Sequence, residues 1–199
     1  MLTLHHVTLS RSHRVRWLLE ELGLPYQLVT LPFAELKRPE HVALHPLGKV
    51  PVLQDGDLVL FESGAILQHL LEHYGEGRLE PKPGAPERSL HWQWFHYAEA
   101  TLTPPLGLIV RHTALLPEAE RVPAVAGFAR QGAASALGVV ERALAGRSWL
   151  LPEFGAADVM MGYSVKLASF LGLVGDATPS LRAYLARCEE RPAWRRAVA

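Results

Sequence analysis

Residues 1–31, MLTLHHVTLSRSHRVRWLLEELGLPYQLVTL, carry the reading that decides the fold. Leu2, Leu4 and Val7 mark a short buried strand. After Ser10-Arg-Ser12, the residues Val15, Leu18, Leu19 and Leu22 fall at i, i+3, i+4 and i+7, the apolar stripe of a helix. Gly23 and Pro25 end it, because glycine accepts the left-handed conformation of a helix terminus and proline cannot continue the ladder. Tyr26 to Leu31 reads as a second strand. The span is therefore a parallel strand–helix–strand unit.

Downstream, His41 to Leu47 suits a short helix or a loop. Pro51-Val-Leu53 and Leu58-Val-Leu-Phe61 are apolar runs joined by Gln54-Asp-Gly-Asp57, an antiparallel hairpin signal. Glu62-Ser63-Gly64 introduces a helix that buries Ile66, Leu67, Leu70 and Leu71. These elements predict an α/β domain over 1–77. Pro81, Pro83, Gly84 and Pro86 mark a linker over 78–86. No strand pattern follows. Helical spacing runs from Glu87 to about Thr103, with an interruption or kink at Pro104-Pro105. It resumes over Val122–Ala145, on Val125, Phe128, Ala129, Leu137 and Val140, then over Ala156–Leu171 and Leu181–Glu190. An all-helical second domain is expected over 87–199.

The 199 residues are 49% hydrophobic and 20% charged, enough apolar content to exclude a disordered chain. Lys+Arg and Asp+Glu each number 20, and without a basic excess no nucleic-acid partner is expected. No apolar run approaches ~18 residues and the first residues lack a signal-peptide pattern, so no membrane association and a cytoplasmic location are expected. Cys188 is the single cysteine and can form neither an internal disulfide nor a multi-cysteine metal site.

Three segments carry chemistry. Ser10 and Ser12 stand where a strand meets a helix; they cap that helix, or they use its unpaired N–H groups and positive end to hold an anion such as a thiolate. In His45-Pro-Leu-Gly-Lys-Val-Pro-Val-Leu53, Pro51 is a plain edge proline, or a cis Val50–Pro51 bond leaves the Val50 N–H and C=O to pair with a peptide-like ligand. Glu62-Ser63 opens a further helix with Ser63 at its N-cap; the pair only caps, or Ser63 holds a carboxylate and Glu62 an amine.

In order and spacing these segments resemble the glutathione transferase family. The resemblance spans essentially the whole chain. It rests on Ser10 to Tyr26, His45 to Leu53, Phe61-Glu-Ser-Gly-Ala-Ile66, Trp94 to Pro104, Ala157-Asp158 and Arg191-Pro-Ala-Trp194. It implies a thioredoxin-like N-terminal domain and a helical C-terminal domain that contributes an electrophile site. Ser10, four residues before Arg14, matches the serine that activates glutathione in serine-type members, with Ser12 the second candidate. Lys49 matches a residue that pairs with the glycyl carboxylate. Val50, ahead of Pro51, matches the residue whose backbone pairs with the cysteinyl part, and Glu62 and Ser63 match those that hold the γ-glutamyl end. No cysteine stands near Ser10, which points away from the members that run thiol–disulfide chemistry. Trp94, Tyr97, Thr101, Leu106 and Arg111 are the candidate walls of the electrophile site, against the plainer reading that such a stripe is core. The implied protein is a homodimeric detoxification enzyme, without a metal, that conjugates glutathione to small hydrophobic electrophiles. Peroxide reduction, isomerisation or dehalogenation on the same thiolate, and a non-catalytic binding module, remain open. Gly155 stands where the family usually has serine or threonine, and glycine caps a helix nearly as well.

Other signals receive plainer readings. His69-Leu-Leu-Glu-His73 matches the H-x-x-E-H pattern of one metalloprotease group, but such a site needs a third ligand and an open position. His41 and His45 share the i, i+4 spacing and no metal is expected there either. His5, His6 and His13 lie near the proposed thiol site, and His13 is expected as a solvated surface histidine. Cys188 reads as a structural thiol and Arg195-Arg196 as a solvated charge pair.

Overall fold

β1 (Leu2–His6) is an inner strand of a four-stranded sheet ordered β2-β1-β3-β4 in a computed structural model that describes residues 1–199. It runs parallel to β2 (Tyr26–Thr30), with Leu4 opposite Leu28, and the crossover between them is α1 (Ser12–Leu22). β3 (Val52–Asp55) lies antiparallel to β1 and β4 (Leu58–Phe61) antiparallel to β3. The region read as short helix or loop holds α2 (Pro39–Leu44). α3 (Ser63–Tyr74) buries Ile66, Leu67, Leu70 and Leu71 as its periodicity predicts, and α1 likewise buries Val15, Leu18, Leu19 and Leu22. Gly23 takes the left-handed conformation at φ 68° and closes α1. Asp55 ties the hairpin to α3, accepting from Tyr74 Oη at 2.6 Å and from His69 Nε2 at 3.0 Å.

The chain divides into two units, Met1–Lys82 with Glu189–Ala199, and Pro83–Cys188. The second unit thus stops short of the 87–199 span expected from the sequence. The reason lies in α9 (Pro192–Val198), which buries Ala193, Trp194 and Ala197 and packs on α1. The Trp194 ring stands edge-on to Trp17 and to His13, each with centroids 4.6 Å apart. Arg191 makes a two-pronged pair with Glu21 at 2.6 and 2.8 Å. Arg195 and Arg196 are exposed, as expected of a solvated pair, and Arg196 also donates to Glu20 at 2.6 Å.

The second unit is helical throughout: α4 (Glu87–His96), α5 (Thr103–Val110), α6 (Pro123–Ala143), α7 (Ala156–Phe170) and most of α8 (Pro179–Glu190). Pro104 and Pro105 do not break the helical path. A π turn over Tyr97–Leu102 precedes them and both prolines fall in the first turn of α5, where a missing N–H costs no intrahelical bond. Thr103 closes the turn, its N–H and its hydroxyl (2.6 Å) both reaching the Ala98 carbonyl. On α6 the buried stripe is Ala126, Ala129, Ala133, Ala136, Leu137 and Val140; Phe128, expected on that stripe, is exposed. The small residues let α5 pack closely on α6.

His6, His13 and His91 are buried. His13 is therefore not the solvated residue expected; Trp194 covers it. Loss of hydration, the largest cause in each case, depresses their pKa values to about 4, 3 and 4. Their unfolded value is about 6.5, so below that pH the unfolded chain binds protons that the native chain refuses. This part of the stability is complete above about pH 6.5 and is lost as the pH falls toward 4. The urea midpoint is expected to drop between pH 7 and pH 5 at constant slope; a pH-independent midpoint would contradict the burial of these rings as neutral groups.

Candidate active site

The turn from β1 into α1 forms a closed hydrogen-bonded knot. The Ser10 carbonyl accepts from His13 N–H at 3.0 Å and starts the helix. Ser10 Oγ donates to the Val7 carbonyl at 2.7 Å and lies 2.6 Å from Ser12 Oγ. Ser12 Oγ accepts from Val7 N–H at 3.2 Å and lies 2.8 Å from His6 Nδ1. Ser12 is 0% exposed, so the second candidate for the thiol serves the interior of the turn and presents nothing to a ligand, whereas Ser10 keeps part of its surface. Neither serine caps α1 in the expected way: the preceding cap position is Arg11, without a side-chain bond. The first-turn N–H groups and the positive end of the helix dipole lie beside Ser10.

Sheet topology brings the other two segments to this turn. His5 pairs with Val52, and Val52 with Phe61, across three adjacent strands. The C-terminal end of β1, the entry to β3 and the exit of β4 are therefore neighbours, and each continues into one of the motifs. The Val50–Pro51 peptide is cis and Pro51 is buried ahead of β3. Lys49 is exposed, and its carbonyl accepts from His41 Nε2 at 2.8 Å. Gly48 holds φ 54°, and a Cβ there would meet the Leu36 carbonyl oxygen at 2.3 Å, so this approach of loop to chain requires glycine.

Glu62, not Ser63, occupies the cap of α3, at φ 72° with an exposed side chain. Ser63 is the first helical residue and is buried, and its Oγ accepts from Arg14 Nη1 at 3.1 Å. Arginine only donates, so this contact leaves the Ser63 proton available for an acceptor such as a carboxylate. Arg14 is itself 0% exposed and ties α1 to the start of α3. Sequence reading used Arg14 only as a marker of register and passed over His6. The available signal was a charged residue between two buried positions of α1, and a histidine in phase with Leu2 and Leu4 on β1.

The second-unit candidates separate. Trp94 and Leu106 lie in the buried stripe, and Leu106 has no exposed surface. Tyr97 is half-buried and donates to the Ala136 carbonyl at 3.0 Å. Thr101 and Arg111 are exposed. The π turn displaces Thr101 from the stripe, which passes through Ala98 and Leu102. No group of three or more His, Cys, Asp or Glu is placed to hold a metal ion; His69 is directed to Asp55 and Tyr74 completes that cluster. No helix is long and apolar enough to cross a membrane.

Comparison with known proteins bears on the family and the fold. Residues 1–72 match the family model for the glutathione S-transferase N-terminal domain. Glutathione S-transferase-like protein OpS6 of Beauveria bassiana is 31% identical over 194 residues, covering 94% of this chain and 88% of that one. The match to glutathione S-transferase 3 of Schizosaccharomyces pombe is partial, 37% identical over 105 residues, so this chain spans less than half of that relative (43%). Among solved structures, a glutathione transferase from Pseudomonas putida with one glutathione disulfide bound per subunit superimposes with a TM-score of 0.88 at 27% identity, covering 99% of this chain and 90% of that one.

Proposed function

This chain belongs to the glutathione S-transferase family, and on that premise we propose that it binds glutathione at the β1, β3 and β4 ends of its first unit and conjugates the thiolate to small hydrophobic electrophiles. Ser10 donates its hydroxyl proton to the thiolate. Lys49 pairs with the glycyl carboxylate, the Val50 backbone with the cysteinyl peptide, and Glu62 and Ser63 with the γ-glutamyl amine and carboxylate. We place the enzyme in the cytoplasm as a homodimer with a role in detoxification. The observation that carries the reading is the register His5–Val52–Phe61, which gathers a hydroxyl at a helix start, a backbone edge and a second helix start at one end of one sheet.

Calorimetric titration of glutathione tests it. Ser63→Ala removes a hydrogen bond to a charged group, an effect of about 1.5–3 kcal/mol, so the dissociation constant is expected to rise by about tenfold or more. Undiminished affinity in Ser63→Ala would remove Ser63 from the site, and no binding at millimolar glutathione would remove the function. A panel of peroxide, isomerisable, halogenated and aryl-electrophile substrates then identifies the reaction.

A further inference from the structure

The knot at the start of α1 contains three short contacts: Ser10 Oγ to the Val7 carbonyl (2.7 Å), Ser10 Oγ to Ser12 Oγ (2.6 Å) and Ser12 Oγ to His6 Nδ1 (2.8 Å). Each contact this short needs a proton between its two heavy atoms. The Val7 carbonyl has none to offer, so Ser10 supplies the first. Ser10 has one hydroxyl proton, so the second contact takes the proton of Ser12. Ser12 also has only one, so the third contact must take a proton from His6. A single assignment satisfies all three, with His6 as its Nδ1–H tautomer. The Val7 N–H adds a further donor to Ser12 Oγ, and the Ser12 N–H one to Ser10 Oγ at 3.3 Å; the Val7 carbonyl also lies 3.3 Å from Ser12 Oγ, much longer than the 2.6 Å to Ser10 Oγ, and it already takes the Ser10 proton at 2.7 Å, so the Ser12 proton goes to Ser10.

From this count we propose that His6 is a positioning residue: as an Nδ1–H donor it directs the Ser12 proton onto Ser10 Oγ and so keeps the proton of Ser10 for an acceptor other than Ser12. The proposal deepens the function above and rests on it for the identity of that acceptor. On the free protein the acceptor is the Val7 carbonyl. With glutathione bound, Ser10 turns its O–H to the sulfur while still accepting from Ser12, and its donor strength is raised by the bond it receives. His6 neither gives up nor gains a proton. The thiol proton leaves to solvent when the thiolate forms.

The site is built for a fixed tautomer. His6 is buried, and the ionisable groups whose charges act on it or feel it are Arg16 and His13 of α1. Burial and the positive charge of Arg16 keep the ring neutral, with a pKa near 4. Protonation would leave Nδ1 a donor, but it would place a cation in a buried turn.

Two measurements test the proposal. Nitrogen-15 NMR of the His6 ring at pH 7 is expected to show a protonated Nδ1 and a bare Nε2; an Nε2–H tautomer would overturn the chain, whatever the enzyme binds. The second follows the ultraviolet absorbance of glutathione thiolate on the protein against pH. His6→Leu is expected to raise the bound thiol pKa by about half a unit, a roughly threefold loss of thiolate below the pKa, with glutathione affinity little changed. His6→Asn, whose amide can stand in for Nδ1–H, is expected to restore it. An unshifted pKa in His6→Leu overturns the positioning role and leaves the glutathione reading intact. A wild-type protein that binds no glutathione overturns the reading of the acceptor, while the tautomer measurement decides the chain by itself.

Discussion

Ser10→Ala is expected to lower the conjugation rate by about 10- to 50-fold at pH 6.5 and, at saturating glutathione, to recover most of it near pH 9, with glutathione affinity changed by no more than about twofold at pH 6.5. The free thiol has a pKa of about 8.5, so only a few per cent is thiolate at neutral pH. Lowering it by about two units requires roughly 2.7 kcal/mol of preference for the anion. One hydroxyl bond to a charge gives about 1.5–3 kcal/mol and a helix start about 0.3–1 kcal/mol. The two together suffice, and the larger share belongs to Ser10, so its removal returns the pKa most of the way. Complete ionisation multiplies thiolate only about 30-fold at pH 7. Any larger acceleration comes from holding the electrophile against sulfur and should survive in Ser10→Ala at high pH. Rate–pH profiles of wild type and variant check this. If Ser12→Ala gives the shifted profile and Ser10→Ala does not, the assignment of the donor is wrong.

Asp158→Ala is expected to destabilise the second unit by about 3–4 kcal/mol, a large part of the 5–15 kcal/mol by which domains are stable. Asp158 is 0% exposed. Its carboxylate accepts from Leu150 N–H and Gly155 N–H, each at 3.1 Å, and from the Tyr184 hydroxyl at 3.1 Å. Gly155 caps α7 without a side chain, so the Asp158 carboxylate supplies the side-chain acceptor for the N–H groups of Leu150 and Gly155 ahead of that helix. Alanine would strand two buried N–H groups, while Tyr184 would keep the Asp158 carbonyl at 3.2 Å. Asp158→Asn retains an acceptor and should cost less. Urea unfolding followed by circular dichroism reads both; a loss below about 1 kcal/mol for the alanine variant would mean that water replaces the carboxylate.

Much of this protein was legible in its residues. β1, α1 and α3 lie where their patterns put them, because each buries one face against a neighbour and a half-buried element writes that face into its sequence, while β3 and β4 were legible as two apolar runs around a turn although β4 stays largely exposed. Ser10, Lys49, Val50 and Glu62, the residues proposed for glutathione, each stand at or next to a junction of elements, where capping and turn chemistry restrict the residue type; their roles came from the family resemblance. The electrophile candidates were poorly legible. An aromatic or aliphatic residue at helical spacing is written the same way whether it meets core or ligand, and Leu106 proved to be core.

What only tertiary structure decided are the contacts that join distant residues. Capping pattern did not separate Ser10 from Ser12, and the resemblance ranked Ser10 first; in the structure Ser12 Oγ lies against His6 and is fully buried, while Ser10 keeps part of its surface. Pattern reading treated His13 as solvated, until α9 folded back on α1 and covered it; Arg196 stays exposed as expected and gains Glu20 as a partner. Pattern could not place Arg14 against Ser63, 49 positions later. Periodicity reports the environment of a residue within one element, because neighbouring positions sample the same face. The partner of a polar group is set by which elements pack together, and no local pattern contains that choice.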